Sequence, residues 1–250
     1  MKYKVIIFDL DGTVVPSKLE GMPSEEVIKT VHKMQGKIKL SFATGRSINT
    51  CRNIEKALGL TDPCIISGGS LIVNPKTEEV LWEHHLPDEV VEKVVNISSE
   101  FSNKISINGI TLESKTSVGE FVKIADIIVV TEIKKDNTDS LVEELTKIPD
   151  LAVHILPSWT EGDYWDLHIT HKLATKKHAI ENLIKILGVK KEEVIGIGDG
   201  NNDMPLFESV GYKVAMGNAV DVLKNAADYI TDTLENNGFA KFIEKKLPTI

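Results

Sequence analysis

Two aspartates near the start of the chain are the first residues that could do chemistry. Asp9 and Asp11 follow a short apolar run in the sequence KVIIFDLDGT. Residues two apart on an extended strand project to the same side, so the two carboxylates can converge. Convergent carboxylates repel unless a cation offsets them, and Mg²⁺ prefers protein carboxylates together with waters and phosphate oxygens. The pair is a candidate metal site, with turn chemistry at Asp11 and Gly12 as the alternative.

A second acidic segment, GDGNND at 198–203, follows another apolar run. Its glycines allow the backbone to turn sharply. Asp199 and Asp203 are four residues apart, a spacing that predicts that they share one face of the helix that follows. We therefore expect this segment to bring more carboxylates to the same edge of a sheet.

Two further groups could bind phosphate. Thr44, Gly45 and Arg46 close another predicted strand and offer a hydroxyl, a flexible backbone amide and a helix start, all suited to a phosphate oxygen. Lys176 lies early in a predicted helix at 173–187, where its ammonium could offset phosphate and carboxylate charge. Taken alone, the Thr-Gly pair is a weak signal and such a lysine is ordinarily a solvated surface residue.

The elements that must position these residues alternate between strand and helix. Strands are predicted at 4–10, 38–43, 64–66, 194–197, 212–215 and 229–231. Ser24 and Ser47 are predicted N-caps of the first two helices, and Gly59 is expected to end the second after Leu58. This alternation predicts right-handed βαβ units, a parallel sheet and ligands at the carboxyl ends of its strands.

The middle of the chain has a different pattern. Strand-like runs at 105–112, 127–130 and 152–156 accompany two predicted helices, at 88–101 and 139–148. This composition predicts an inserted α+β domain. We expect residues 1–82 and 166–250 to form one α/β core and residues 83–165 to form the insertion.

The combination of segments, in the order DLDGT, ATGR, Lys176 and GDGNND, resembles the haloacid dehalogenase superfamily of phosphohydrolases over essentially the whole chain. The GDGNND form and the place of the insertion are similar to the Cof-type subgroup, whose cap is an α+β module of this length. The resemblance implies a Rossmann-like parallel-sheet core with helices on both faces and a mobile cap. Departures from the subgroup are Ser67-Gly68-Gly69 in place of Asn-Gly-Ala, and a segment before Lys176 that lacks the usual Pro and Gly.

The resemblance also implies a role for each matching residue in a magnesium-dependent phosphatase that forms an aspartyl-phosphate. Asp9 is implied to be the nucleophile and Asp11 the general acid and base. Mg²⁺ is implied to be bound by Asp9, the backbone carbonyl of Asp11, and Asp199. The other implied residues are Thr44, Gly45 and Lys176 as phosphate-binding groups and Arg46, Asn202 and Asp203 as supporting groups. A carboxylate can attack phosphorus once a metal ion and a lysine offset enough negative charge.

The composition of the chain argues against two classes of binding partner. The chain has 29 Lys and Arg against 37 Asp and Glu, a net charge of −8, which argues against nucleic acid or an anionic membrane. Its apolar runs are far shorter than the roughly 20 residues that cross a bilayer, and its start lacks a signal-peptide pattern. Cys51 and Cys64 show no CxxC spacing, which is typical of a reducing compartment. We therefore expect a cytoplasmic protein. Because the cap that the resemblance implies would close over the site and exclude macromolecules, we expect a small phosphorylated metabolite as the substrate, with a sugar phosphate as the expected one.

Other interpretations remain open. A phosphomutase would use the same aspartyl-phosphate chemistry, and a non-catalytic sensor of phosphorylated metabolites would retain the shape of the site. An aromatic and acidic cluster around Trp159 could line a sugar-sized pocket or pack the sheet of the insertion. His168 and His171 are three apart, but no further His or Cys completes a zinc site at a known spacing.

Overall fold

The computed structural model describes residues 2–18, 20–112 and 124–250. In these ranges the strands are β1 (Val5–Phe8), β2 (Lys39–Phe42), β3 (Cys64–Ile66), β4 (Leu71–Val73), β5 (Val80–Glu83), β6 (Ile105–Ile107), β7 (Ile110–Thr111), β8 (Ile128–Lys134), β9 (Leu151–Pro157), β10 (Tyr164–His171), β11 (Val194–Gly198), β12 (Tyr212–Ala215) and β13 (Tyr229–Ile230). The α-helices are α1 (Glu25–Met34), α2 (Ile48–Leu58), α3 (Asp88–Ser98), α4 (Lys135–Thr146), α5 (Lys176–Leu187), α6 (Met204–Ser209), α7 (Asp221–Ala226) and α8 (Gly238–Lys241).

The core sheet is parallel and has the strand order β13-β12-β11-β1-β2. β1 lies between β11 and β2, with Phe8 opposite both Ile197 and Phe42. Every residue of β1 is buried, as expected for a parallel strand covered on both faces. Because the three strands are in register, their carboxyl ends meet at one edge of the sheet. The predicted α/β fold with a parallel sheet is confirmed.

Helices cover both faces of this sheet. Ile6 and Phe8 of β1 pack in one core with residues of α1, α2 and α8. Val5 and Ile7 point to the opposite face, since side chains alternate along a strand, and pack with residues of α5 and α6. The sheet is therefore held between two helical layers, and its position is fixed by apolar packing on both sides.

A second sheet is antiparallel and has the order β7-β6-β8-β10-β9. α3 and α4 pack on one of its faces, which confirms the predicted α+β insertion. The predicted domain boundaries at 82/83 and 165/166 fall inside the strands β5 and β10. Because β10 pairs with β9 up to His171, the second sheet extends beyond the predicted boundary at 165/166. The division of the chain into domains remains a prediction.

Within the described ranges, no helix is long and apolar enough to cross a membrane.

Several elements differ from those predicted. β10 was not predicted, and neither were β4 and β5, which form a short antiparallel sheet with β3. The helix predicted at 173–187 begins at Lys176, because Thr175 is its N-cap and accepts a hydrogen bond from His178 N. The helix predicted at 139–148 begins earlier, at Lys135, directly after β8.

The GDGNND segment is the main local correction. Residues Asn201–Asp203 form a single 3-10 turn, and α6 starts only at Met204. Asp199 therefore precedes the helical turn, and the prediction that Asp199 and Asp203 share a helix face is wrong. The physical reason is that the Asp203 carboxylate accepts hydrogen bonds from the backbone N–H groups of Asp199 and Gly200, which folds the segment back on itself.

Gly69 provides a test of how the core holds the start of α5. It has a φ of +110°, and a Cβ there would lie 2.3 Å from Thr175 C and 2.5 Å from Lys176 N. We expect Gly69→Ala to lower the free energy of unfolding in urea by about 3 kcal/mol or more, because backbone atoms must move. Gly36→Ala is the matched control, since Gly36 also has a positive φ but open space around it, and should lose only about 1 kcal/mol. Equal losses would contradict the packing argument.

Candidate active site

Three strands of the core sheet end beside the residues selected from the sequence. Asp9 follows β1, Asp199 follows β11, and Thr44 lies two residues beyond β2. Asp9 N donates to Ile197 O at 2.9 Å, so the pairing of β1 with β11 continues up to the acid. The structure therefore brings these predicted residues to one edge of the sheet, as the register of the strands requires.

Lys176 joins this edge from the first position of α5. Its Nζ donates to Asp9 Oδ1 at 2.7 Å and to Asp203 Oδ1 at 2.8 Å. The side chain is buried, with 6% of its surface exposed. Burial lowers the pKa of Lys176, but the carboxylates of Asp203 and Asp9 outweigh it and raise the pKa above its ordinary value. The lysine is therefore a fixed positive charge between two acids.

Asp203 is fully buried and uses both of its oxygens. Oδ1 accepts from Lys176 Nζ, and Oδ2 accepts from Asp199 N at 2.9 Å and Gly200 N at 3.0 Å. A carboxylate held by charged and backbone donors at once is rigid. Asp203 thus fixes both the ammonium of Lys176 and the backbone that carries Asp199.

Asp199 lies over the turn that follows β1. Its Oδ1 accepts from Thr13 Oγ1 at 2.7 Å. Gly12 has a φ of +80°, and a Cβ there would lie 2.1 Å from Asp199 Oδ2, so only glycine leaves room for this carboxylate. Burial, followed by the charge of Asp203, raises the pKa of Asp199 to about 7.

The acidic cluster formed by Asp9, Asp199 and Asp203 fits a hard divalent cation. One carboxylate oxygen from each lies within 4.8 Å of the others. Burial, followed by the charge of Asp203, raises the pKa of Asp9 well above its ordinary value, although Lys176 opposes this shift. Three acids against one ammonium leave negative charge that a cation with oxygen ligands would offset.

Hydrogen bonds decide which members of the cluster could bind the ion. Within the described ranges, Asp9 Oδ2 and Asp199 Oδ2 have no hydrogen-bond donor, whereas both oxygens of Asp203 are occupied. Asp9 and Asp199 are therefore the carboxylates that could hold Mg²⁺. The Asp11 carboxylate is outside the cluster, so Asp11 could contribute only its backbone carbonyl, as the resemblance implies.

The carboxylate of Asp11 is held instead by Arg46. The guanidinium donates from Nε to Oδ2 at 2.9 Å and from Nη2 to Oδ1 at 2.6 Å, a bidentate arrangement that fixes the plane of the carboxylate. Arg46 also donates to Lys18 O at 2.7 Å and Thr50 O at 3.3 Å. Arg46 was predicted only as a supporting residue, and the structure shows that what it supports is the orientation of Asp11.

The Thr44–Gly45–Arg46 segment is rigid as well. Thr44 is buried, and its Oγ1 accepts from Arg46 N at 3.1 Å. Backbone hydrogen bonds connect Thr44 N to Ile65 O and Ser67 N to Arg46 O. The loop after β2 is thereby fastened to β3 and the loop after it. Ala43 N also donates to Phe8 O at 2.9 Å, so Thr44 directly follows a residue that pairs with the end of β1.

Three parts of the second sheet contact three consecutive core residues. A Cβ at Gly45 would lie 2.8 Å from His168 Nδ1, and a Cβ at Gly109 would lie 2.3 Å from Ser47 Oγ. The Trp159 ring lies over Arg46, with 5.4 Å between the guanidinium carbon and the ring centroid. The second sheet therefore covers the edge of the core sheet where the acids lie.

Two residues that contact the site were assigned no role from the sequence, and the predicted supporting role of Asn202 stays a prediction. Thr13 was quoted within DLDGT but given no role, although it bonds Asp199. Asn218, for which the sequence holds no signal, donates to Gly12 O at 2.8 Å and accepts from Leu234 N. Asn202, predicted as supporting, folds against its own loop, since a Cβ at Gly200 would lie 2.4 Å from Asn202 Oδ1.

Known proteins are similar to this chain along nearly its whole length. A phosphoglycolate phosphatase of Saccharolobus solfataricus is 27% identical over 245 residues, covering 98% of this chain and 96% of the relative. A 5-amino-6-(5-phospho-D-ribitylamino)uracil phosphatase of Bacillus subtilis is 29% identical over 251 residues, covering 96% and 94%.

Structure and family comparisons agree with these relatives. The crystal structure of a haloacid dehalogenase-like hydrolase from Bacteroides thetaiotaomicron superposes with a TM-score of 0.82 and 25% identity, covering 97% of this chain and 99% of that one. The sequence model of one family, described as haloacid dehalogenase-like hydrolase, matches residues 6–120 and 113–243. The chain belongs to the haloacid dehalogenase-like hydrolase family.

Proposed function

We propose that this protein is a magnesium-dependent phosphatase that hydrolyses a small phosphorylated metabolite through an aspartyl-phosphate on Asp9. The observation that carries the proposal is the arrangement of Asp9 itself. One of its oxygens accepts from Lys176 Nζ at 2.7 Å, the other has no hydrogen-bond donor within the described ranges, and the carboxylate lies in a cluster with Asp199 and Asp203. A carboxylate fixed in this way is positioned to attack a phosphoryl group.

The reaction requires that negative charge be offset before a carboxylate approaches a phosphate. Lys176 contributes one buried positive charge at Asp9. Mg²⁺ held by Asp9 and Asp199 would supply the remaining positive charge and orient phosphate oxygens. Thr44 and the backbone N–H of Gly45, at the start of the segment that leads into α2, would donate to the phosphate oxygens.

In this proposal Asp11 moves the protons. As Asp9 bonds to phosphorus, the ester oxygen leaves with a proton from Asp11. Water then gives a proton to Asp11 and bonds to phosphorus, which frees Asp9 and releases phosphate. The bidentate contact with Arg46 holds the Asp11 carboxylate in one orientation for both steps.

The position of the second sheet against the core limits the size of the substrate in this proposal. We propose that the insertion between β5 and α5 acts as a cap, because His168 and Trp159 contact the core at Gly45 and Arg46. A cap in this position admits small molecules and excludes macromolecules. The relatives named for phosphoglycolate and for a phosphorylated ribityl compound support this substrate class, with a sugar phosphate as the expected substrate. The two free, buried cysteines support a cytoplasmic location.

The first experiment is phosphate release from a panel of phosphorylated sugars, nucleotides and small acids, with and without Mg²⁺. We expect magnesium-dependent release by the wild type. Asp9→Asn should lower kcat by at least about 10³-fold, because an amide cannot act as the nucleophile. Asp136→Asn, at an exposed position of α4, is the control and should keep full activity.

The outcomes separate the competing functions. Substantial activity in Asp9→Asn would sink the nucleophile assignment. Transfer of the phosphoryl group to a second sugar position, with no free phosphate, would indicate a phosphomutase. Binding of phosphorylated compounds without any turnover would indicate a sensor.

A substitution at Thr13, which orients Asp199 by a hydrogen bond, tests the proposed metal site. Thr13→Val removes the 2.7 Å hydrogen bond to Asp199 Oδ1 at nearly constant volume. We expect the Mg²⁺ concentration for half-maximal activity to rise by about 10–100-fold, as is typical when the partner of a metal ligand is lost. Thr30→Val, buried in α1, is the matched control and should leave the requirement unchanged. A lower kcat with an unchanged Mg²⁺ requirement would contradict the assignment.

Arg46 tests how Asp11 is positioned. Arg46→Lys keeps the charge but removes the bidentate contact, and Asp11→Asn removes the proton donor. Both variants should lose more activity with alkyl phosphates than with p-nitrophenyl phosphate, because only poor leaving groups need protonation. We expect the difference in kcat to be about tenfold or more. Equal losses with both kinds of ester would count against an acid role for Asp11.

A further inference from the structure

The second sheet has a polar face that is turned away from its helices. Leu167 and Ile169 of β10 are buried in the core formed with α3 and α4. Because side chains alternate along a strand, His168 and Thr170 lie on the opposite face. This face is turned toward the core sheet, since a Cβ at Gly68 would lie 3.3 Å from Thr170 Cγ2.

Four residues form a continuous row across this face, which we call the roof row. His168 of β10 pairs with His154 of β9 on one side and with Val129 of β8 on the other, and Val129 pairs with Ser106 of β6. Directly paired residues on neighbouring strands share a face and have side chains in contact range. Two imidazoles therefore stand next to each other.

The roof row meets the core at the segment proposed to bind phosphate. A Cβ on Gly45 would lie 2.8 Å from Nδ1 of His168 and 2.9 Å from Cε1. The charge of Lys176 reaches both rings and lowers the pKa of each. A group attached to a phosphate bound at Thr44 and Gly45 would therefore lie near His168.

Neither imidazole is satisfied by the protein. Within residues 2–18, 20–112 and 124–250, no hydrogen bond involves the His154 or His168 ring, although both side chains are half-buried. Burial, followed by the neighbouring His154, lowers the pKa of His168 to about 4, and burial lowers the pKa of His154. A neutral imidazole offers one donor and one acceptor, and a hydroxyl group matches both.

We propose that His168 and His154 form a subsite that hydrogen-bonds hydroxyl groups on the leaving group of a phosphorylated polyol. The inference rests on the proposed phosphatase function and assigns the part of the substrate that the phosphate-binding residues do not hold. The ring nitrogens of both half-buried histidines are open to water. A hydroxyl group can replace that water and its hydrogen bonds, whereas an apolar group displaces the water without replacing them.

Hydroxyl groups fit the subsite better than a carboxylate does. Ser106, Val129, His154 and His168 carry no charge at neutral pH, so the roof row has no cation for an anionic leaving group. Two basic groups at the adjoining core edge are already paired, Lys176 with Asp9 and Asp203, and Arg46 with Asp11. Binding a carboxylate here would remove it from water without an opposing charge.

The test compares glycerol phosphate with propyl phosphate, which has the same carbon chain without hydroxyls, and with phosphoglycolate. The wild type should prefer glycerol phosphate. His168→Leu and His154→Leu should each lower kcat/KM for glycerol phosphate about tenfold, the contribution of one hydrogen bond, and leave propyl phosphate unchanged. His168→Asn, which keeps a donor and an acceptor, should recover part of the loss. His32→Leu, on the exposed side of α1, controls for loss of a histidine elsewhere.

Each other outcome counts against a defined part of the inference. Equal losses for glycerol phosphate and propyl phosphate would show that the histidines only support the fold, and no loss for either would show that they do not contact the leaving group. A preference for phosphoglycolate that disappears in His168→Leu would overturn the assignment to hydroxyl groups. If the wild type releases phosphate from no ester at all, the proposed function fails together with the subsite.

Discussion

The ammonium of Lys176 between Asp9 and Asp203 is the interaction on which the site depends. It joins three separate elements, the end of β1, the start of α5 and the loop after β11. Burying these charges is tolerable because Lys176 pairs with two acids at once and Asp203 accepts two further hydrogen bonds. Removal of one partner from such a buried pair typically costs about 3–5 kcal/mol. Asp203 shows this most clearly, since backbone donors and the lysine occupy both of its oxygens.

The surrounding structure maintains that interaction by rigid local contacts. Thr175 caps α5 and sets the position of Lys176, while Gly69 lets the loop after β3 approach the same turn. On the other side, Gly12 leaves space for Asp199, and Asn218 ties the backbone of Gly12 to a distant loop. The acidic cluster is therefore preorganised, with its excess negative charge directed toward a place where a cation can bind.

The sequence predicts the sheet edge better than it predicts the contacts at that edge. Asp9 and Asp199 could be placed together because each follows an apolar strand, and parallel strands align their carboxyl ends. The contact of Arg46 with Asp11 and that of Thr13 with Asp199 span 35 and 186 residues, and no local pattern encodes a side-chain orientation over such distances. Likewise, the start of α5 depends on one hydrogen bond at Thr175, which periodicity does not reveal.

The second sheet is harder to predict from the sequence, for a different reason. β10 alternates polar and apolar residues, which is typical of a strand with two different faces, yet its polar residues resemble a loop when they are read singly. Its pairing with β8 and β9 is visible only in three dimensions, and so is the adjacency of His154 and His168.

The contacts between the two sheets also bear on how such an enzyme could evolve. His168, Trp159 and Gly109 all meet the core at residues 45–47, and Arg46 in that segment also orients Asp11. Gly45 has no room for a side chain, so a larger residue cannot replace it without displacing His168. His154, by contrast, lies on β9 at the margin of its sheet, with a strand on one side only. If His154 contacts the leaving group as we propose, a substitution on this edge strand can change the leaving-group preference while residues 45–47 stay the same.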